Sequence, residues 1–407
     1  MARILVTSSR MPFALGMIRR LAEAGNEVLA ADDSELAPGS HSRYVSERFV
    51  ISSPRSETEA FVAEVERIAS EHSIDVIVPA FEEAFYLSTR HERLAQTASL
   101  FFSPFATLAP LHDKASFEHT ARRLELPMAE TVIASSDEEL RAALERFPRY
   151  FARAAFSRGG VSLLTNTGAL AGALDPSDCH PTEANPWLVQ EFVDGETFCT
   201  YSTVHSGRIT AHCAYEIPRQ WEHSTGIQFV AIGGAETLAV AEQITRDCDY
   251  TGQISFDFIA SPTGPMLVEC NPRATDGVLL MGSEQLANGI LDPEAKPVTV
   301  PAGESVQLDL AVFGGMFADG LREAPKTVRD LLEIRGSDRG WHDLLPNLYS
   351  FLSLAHYERL RRDTHDALFN AMAGDISWDG DDIAGLSDSD AELLGALRGE
   401  PGESAGG

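Results

Sequence analysis

The chain has 407 residues, 44% of them hydrophobic and 23% charged, so we expect a globular protein of two or three domains. Its 61 acidic and 32 basic residues give a net charge of −29, which argues against general binding to nucleic acid or anionic membranes, although a few local cations could still hold a nucleotide. No apolar run approaches the ~20 residues of a membrane span, and the first residues begin directly as a strand, so we expect a cytosolic protein.

The N-terminal region follows a β-α-β pattern. It predicts a strand at 3–8, a helix at 13–24 and a strand at 27–32, which indicates a doubly wound, Rossmann-like domain. The loop after the first strand reads TSSRMPFALG and lacks the GxGxxG spacing, so a nicotinamide dinucleotide site is disfavoured. We expect this domain to end near residue 110.

Two glutamates follow a later strand of the same domain. A helix at 61–72 leads to a strand at 74–79, and Phe81, Glu82 and Glu83 come directly after it. Open α/β sheets place ligands at this edge. The same residues would also suit the acidic first turn of the next helix. Both interpretations stay open.

The next basic residue of interest is Lys114, in the first turn of a helix predicted at 111–124 and capped by Asp113. A lysine there is unfavourable for the helix dipole, so an anion partner is one interpretation. A solvated lysine is the other.

A glycine-rich turn follows a strand that contains a buried-looking Arg153. The turn includes Ser157, Gly159 and Gly160, and a return strand follows near residue 163. Such turns let backbone N–H groups approach phosphates, although an ordinary turn has the same composition. The 156–163 loop and the 219–228 segment are both candidate lids.

The polar face of one hairpin is the most informative feature of the sequence. Strands are predicted at 253–260 and 266–271, joined by a five-residue loop. If Ala260 pairs with Met266, Asp257 lies opposite Glu269, and two such carboxylates repel unless a cation lies between them.

Oxygen-only ligands on that face suit Mg²⁺ or Mn²⁺ rather than zinc. Asn271 adds a carbonyl on the same face, and Arg273 follows at the strand exit, placed to meet an anion. The alternative is an ordinary solvated face of an antiparallel hairpin. Beyond it we expect a strand at 307–313, helices at 328–334, 343–362 and 366–372, and an acidic, partly disordered tail from about residue 374.

Taken together, these stretches resemble the ATP-grasp superfamily over roughly residues 1–285, within the branch of carbamoyl-phosphate synthases, biotin carboxylases and carboxylate–amine ligases. The strongest match is FDF followed by VECNPR. By this resemblance Asp257, Glu269 and Asn271 hold the Mg²⁺ (or Mn²⁺) ions on ATP. Arg273 stabilises charge at the reacting group.

Further motifs match in order and imply a nucleotide site. Lys114 and Arg153 would bind phosphates; most members have lysine at the second position, and carbamoyl-phosphate synthase has arginine. VQEFVDGE resembles the adenine hinge. The residues implied to contact the nucleotide are Lys114, Arg153, Ser157, Gly159, Gly160, Gln190, Glu191, Val193 and, for the ribose, Glu196. Some members carry the ribose glutamate one residue later, where this chain has Thr197.

The resemblance implies an α/β fold, with α+β central domains. Its expected parts are a Rossmann-like pre-ATP-grasp domain (1–110), a small lid subdomain (111–188), a catalytic core (189–300) and a C-terminal, mostly helical extension (301–407). The implied activity is ligation of a carboxylate to an amine through an acylphosphate, with amino-acid-like substrates and ADP and phosphate as products. Phosphorylation of carbamate or bicarbonate, or nucleotide binding without catalysis, are the alternatives. The resemblance also allows a homodimer.

Overall fold

A computed structural model describes residues 1–156, 163–168, 170–221, 225–308, 335–336, 342–364 and 368–399. The strands there are β1 (Arg3–Thr7), β2 (Glu27–Asp32), β3 (Val45–Val50), β4 (Val76–Pro79), β5 (Ser99–Leu100), β6 (Thr131–Ala134), β7 (Tyr150–Ala154), β8 (Leu163–Thr165), β9 (Trp187–Glu191), β10 (Glu196–His205), β11 (Arg208–Trp221), β12 (Thr225–Ala231), β13 (Gly252–Ser261), β14 (Gly264–Asn271), β15 (Val298–Thr299), β16 (Ser305–Gln307) and β17 (Arg335–Gly336). The α-helices there are α1 (Pro12–Glu23), α2 (Thr58–Glu71), α3 (Glu83–Ser88), α4 (His91–Leu94), α5 (Phe105–His112), α6 (Lys114–Arg123), α7 (Asp137–Arg146), α8 (Ala235–Asp247), α9 (Ser283–Leu291), α10 (Leu345–Thr364), α11 (Leu368–Ala373) and α12 (Asp388–Leu397).

The chain divides into two compact units. Unit one comprises Met1–Pro104, Cys199–Ser255 and Arg273–Trp378, and unit two comprises Phe105–Phe198, Phe256–Pro272 and Asp379–Gly407. None of the helices in the described parts of the chain is both long enough and apolar enough to cross a membrane. The five cysteines are free thiols.

Unit one begins with the predicted doubly wound sheet. Its strands are parallel, in the order β3-β2-β1-β4-β5, and Thr7 at the end of β1 is registered with Pro79 at the end of β4. The carboxyl ends of neighbouring strands therefore form one edge, and the Phe81–Glu82 turn follows β4 at that edge. Apolar side chains of α1 pack in one core cluster with those of β1, β2 and β4, and each large buried side chain stabilises the fold by about 1.5–3 kcal/mol.

A second sheet of unit one has β10, β11, β12, β16 and β17 as successive neighbours, with β15 on β11 and the first residues of β13 on β10. The β11–β12 and β12–β16 pairs are antiparallel. Strand β13 leaves unit one after Ser255 and enters unit two.

Unit two contains the sheet β6-β9-β7-β8, in which each neighbouring pair is antiparallel. Helix α7 packs on it through buried Leu140 and Ala143, and Ser136 caps that helix by accepting from the Glu139 N–H. Unit two also contains the β13–β14 hairpin from Phe256 onward.

The hairpin turn is tighter than the predicted five-residue loop. The strands extend to Ser261 and from Gly264, so only Pro262 and Thr263 lie between them. The Ser261 hydroxyl donates to the Gly264 carbonyl at 2.7 Å and accepts from the Thr263 N–H at 3.2 Å. Gly264 has φ of 119°, which a residue without a Cβ adopts without strain, and this permits the short turn.

Two further expectations need correction. Strand alternation puts Leu267 on the same, polar face as Glu269, yet Leu267 is 1% exposed, because the segment at Pro127 and Met128 pairs alongside it. The tail from 374 is folded up to residue 399: Trp378 is fully buried and α12 is capped by Ser387. The predicted helix at 328–334, most of the strand predicted at 307–313 and the last eight residues lie outside the described residues.

Candidate active site

Two cations of unit two converge on strand β7. Lys114 begins α6, and its Nζ donates to the carbonyl of Ala155, just past the end of β7, at 3.2 Å. Arg153 lies within β7 and is only 8% exposed. The helix start and the strand end therefore bring together two positive charges that are 39 positions apart in the chain.

The Arg153 guanidinium connects β7 to β14. One terminal nitrogen forms an ion pair with the Glu269 carboxylate, and the other donates to the Val268 carbonyl at 2.8 Å. Its Nε is buried and has no hydrogen-bond partner among the described residues. A planar fork suits this two-point contact better than a lysine ammonium would.

Asp113 fixes the start of α6 and hence the position of Lys114. Its Oδ1 accepts from the Ser116 N–H at 2.7 Å, which is an N-cap as predicted. Its Oδ2 is buried without a hydrogen-bond partner among the described residues. Burial raises the pKa of Asp113 to about 6, and the cap and nearby Lys114 offset part of that rise.

The two faces of the β13–β14 hairpin differ in burial, as the alternation of side chains along a strand predicts. Phe256 and Phe258 on β13 are fully buried, whereas Asp257, Glu269 and Asn271 are partly buried. In the described parts of the chain no three His, Cys, Asp or Glu side chains form a metal-binding cluster. Asp257, Glu269 and Asn271 offer two carboxylates and one amide oxygen, a donor chemistry that suits Mg²⁺, and their assignment as its ligands stays a prediction.

The predicted nucleotide hinge lies along and just after β9. Gln190 is 5% exposed and its amide donates to the Thr131 hydroxyl on β6 at 3.0 Å. Glu191 ends the strand and is exposed, Val193 is half-buried, and Glu196 is exposed at the start of β10. Gln190 is thus already held by its own sheet, whereas the two glutamates face solvent.

Arg273 belongs to unit one and has a defined setting there. Its Nε donates to Glu82 Oε1 at 3.1 Å, one terminal nitrogen donates to the Ala274 carbonyl at 3.2 Å, and its guanidinium carbon lies 4.5 Å from the Phe81 ring centre. Asp276 follows on the next turn, where burial raises its pKa to about 7 and the charge of Arg273 counteracts the rise. Sequence reasoning noticed Glu82 without assigning it a partner, and it missed Asp276.

The remaining predicted residues cannot be placed. Ser157, Gly159 and Gly160 lie outside the described residues, as does most of the 156–163 loop. The second predicted lid, 219–228, also lies partly outside them.

No family model and no curated protein matches this sequence. Solved structures do match its fold. The N5-carboxyaminoimidazole synthetase of Staphylococcus aureus, solved with ADP, is 12% identical with a TM-score of 0.58, over 78% of this chain and 86% of that one. The biotin carboxylase domain dimer of 2-oxoglutarate carboxylase from Hydrogenobacter thermophilus, solved with MgADP, ADP and bicarbonate, is 14% identical with a TM-score of 0.54, over 75% and 73%.

An L-amino acid ligase from Bacillus licheniformis is also similar, at 14% identity and a TM-score of 0.52, over 73% of this chain and 78% of that one. These proteins differ in reaction but share one architecture, with a parallel α/β sheet and antiparallel sheets like those described above. The chain therefore has the ATP-grasp fold.

Proposed function

We propose that this protein is an ATP-dependent carboxylate–amine ligase that joins amino-acid-like substrates through an acylphosphate and releases ADP and phosphate. The observation that carries the proposal is the Arg153 contact to Glu269 and Val268, with Lys114 against the same strand. These contacts bring two cations and Glu269, a candidate metal ligand, close together in a chain that is acidic overall. The similarity to the fold of ADP-bound enzymes and of an L-amino acid ligase supports it.

In this proposal the nucleotide lies between the hinge and the hairpin of unit two. Lys114 and Arg153 bind phosphate oxygens, together with the Ser157, Gly159 and Gly160 loop. Gln190, Glu191 and Val193 contact the adenine, and Glu196 contacts the ribose. The two cations offset part of the roughly four negative charges of ATP, since charge-assisted hydrogen bonds to phosphate are among the strongest in proteins.

Asp257, Glu269 and Asn271 are the residues that would hold Mg²⁺. When bound, the metal supplies charge neutralisation across the phosphates during in-line transfer. The Arg153–Glu269 ion pair orients this carboxylate beforehand.

The reaction then proceeds in two balanced steps. A carboxylate oxygen of the first substrate bonds to the γ-phosphorus, and the bond from that phosphorus to ADP breaks. The amine nitrogen of the second substrate attacks the acyl carbon, phosphate leaves with the bonding pair, and the amine gives up its proton. Arg273 would stabilise the oxyanion that forms at that carbon, and this electrostatic contribution is commonly worth on the order of 10²–10³ in rate.

The test is a screen of phosphate release with MgATP and pairs of amino acids, with the product identified by mass spectrometry. We expect phosphate and ADP only when a carboxylate and an amine are both present. Reactions lacking the carboxylate, the amine or Mg²⁺ are the controls. Release of AMP would contradict the proposal, and Mg²⁺-dependent ATP binding with no turnover across the screen would indicate a nucleotide-binding regulator.

A second candidate is phosphorylation of carbamate or bicarbonate. The specific observation that favours it is an arginine at position 153, which the carbamoyl-phosphate synthase branch shares. Phosphate release stimulated by bicarbonate alone, with no amine present, would favour this candidate over the ligase.

A further inference from the structure

Two adjacent glutamates at the carboxyl edge of the parallel sheet have different partners. Glu82 is 1% exposed and Glu83 is fully buried. Glu83 closes its own turn: its carboxylate accepts from the Thr7 hydroxyl at 2.6 Å and from the N–H groups of Ala80 and Phe81 at 2.9 Å each. These contacts explain Glu83 by its role in joining the turn after β4 to the end of β1.

Glu82 instead connects two segments that are far apart in sequence. Its Oε1 accepts from Arg273 Nε at 3.1 Å, and its Oε2 accepts from the Trp378 N–H at 3.0 Å. A carboxylate held at both oxygens has one orientation. Its partner Arg273 therefore also has a fixed direction, which is reinforced by the Phe81 ring beneath the guanidinium.

Residues 376–378 of the C-terminal extension are built into this part of unit one. Ile376 is 1% exposed within the core cluster, the Ser377 carbonyl accepts from the Tyr86 hydroxyl at 2.8 Å, and the Trp378 ring stacks on Phe85 at 4.7 Å. Trp378 has no exposed surface. The Trp378 N–H that donates to Glu82 is therefore fixed in position by the packing of Trp378 on α3.

We propose that Glu82 is the positioning residue for Arg273, and that residues 376–378 hold Glu82 in place. The inference rests on the proposed function, because it assigns Arg273 to the acyl-transfer steps. Glu82 orients the guanidinium without contacting substrate. The C-terminal extension then has a defined role: its segment 376–378 completes the support of the reactive arginine.

The experiment measures kcat and KM for ATP with a substrate pair found by the phosphate-release screen. Glu82→Gln keeps the size of the side chain but removes its charge. We expect kcat to fall on the order of 10²-fold, because a small misplacement of the Arg273 guanidinium would cost about this much in rate. KM for ATP should stay within about twofold. Glu82→Asp keeps the charge on a shorter stem and should recover part of the loss.

The neighbouring glutamate supplies the matched control. Glu83→Gln should lower the melting temperature while leaving kcat near the wild-type value at temperatures where it is folded. At the C-terminal segment, Trp378→Phe keeps an aromatic ring on Phe85 and should retain activity, whereas Trp378→Ala should lower kcat in the same manner as Glu82→Gln. Equal losses from Glu82→Gln and Glu83→Gln would overturn the positioning role.

A double-mutant cycle separates this inference from the proposed function. If Arg273→Ala abolishes turnover and Glu82→Gln does not affect it, the positioning role is wrong and the ligase stands. If Arg273→Ala keeps full turnover, both the catalytic assignment of Arg273 and the positioning role of Glu82 are wrong. A second cycle measures the free energy of unfolding of the two single variants and the double variant, and it needs no substrate. If the effects of Glu82→Gln and Arg273→Ala on this free energy simply add, the contact between the two side chains is contradicted.

Discussion

At the scale of single residues, the candidate site depends on a few charges that the folded chain brings together from distant positions in the sequence. Glu269 is paired with Arg153, which lies 116 positions away in sequence, and Glu82 with Arg273 across 191 positions. Sequence motifs identified each of these residues. The pairings could not be predicted, because they depend on which segments, far apart in the sequence, pack against each other.

The role of Glu269 can be tested by one substitution. Glu269→Gln removes a negative charge from the proposed metal ligands and leaves Arg153 buried without its ionic partner. Mg²⁺-dependent turnover should therefore fall by at least ~100-fold. That factor is the upper range for loss of a residue that only supports a metal ligand. Calorimetric titration with MgATP and steady-state phosphate release measure the effect. Glu145→Gln, on the exposed face of α7, is the control and should behave as wild type; an unchanged Glu269→Gln enzyme would show that the metal assignment is wrong.

The buried carboxyl of Asp113 predicts a pH-dependent stability. Its folded-state pKa of about 6 lies above the ordinary value of 3.8, so the folded protein holds this proton more tightly and loses stability as pH rises from about 4 to 6. Asp113→Asn keeps a good N-cap and removes the titration. Its free energy of unfolding relative to wild type should therefore rise across that window by on the order of 2–3 kcal/mol and stay level above it. Urea unfolding at pH 4.5 and pH 7.5 measures this difference; a difference independent of pH would contradict it.

At the scale of elements, the sequence predicted the β-α-β units, the capped helices and the hairpin, because their periodicity and capping residues are local signals. It misjudged features that depend on neighbours. The hairpin loop is short because the Ser261 hydroxyl and Gly264 close it, and Leu267 is buried because a segment more than 130 positions earlier covers it. The tail reads as acidic and polar, yet Trp378 anchors it in a core.

The turn before β10 requires a glycine for a reason found only in the fold. A Cβ at Gly195 would lie 2.3 Å from the Ala260 carbonyl oxygen and 2.7 Å from a methyl carbon of Ile259. Gly195→Ala should therefore lower the free energy of unfolding by about 1–3 kcal/mol, the usual cost of overpacking. Gly282→Ala, where the nearest atom is 4.0 Å away, is the control and should be close to neutral. Chemical denaturation compares the two, and equal effects would refute the packing argument.

At the scale of the whole molecule, the chain has a net charge of −29, yet the proposal assigns the phosphate contacts to two cations of unit two. Lys114 begins α6 and donates to the carbonyl just past β7, and Arg153 lies within β7. Arg273 lies in unit one, at the start of its third segment. The fold follows from the structure. The substrates, the domain limits and a homodimer stay predictions, because no motif in residues 1–110 or 301–407 names a ligand.

The most direct measurement of the central claim follows an oxygen atom. With a substrate pair found by the screen, the carboxylate is labelled with ¹⁸O and the released phosphate is analysed by mass spectrometry. An acylphosphate route carries one carboxylate oxygen to the phosphorus, so we predict one ¹⁸O in the phosphate and ADP as the nucleotide product. Unlabelled phosphate, or label in AMP, would show that the carboxylate is not activated by γ-phosphoryl transfer and would contradict the account.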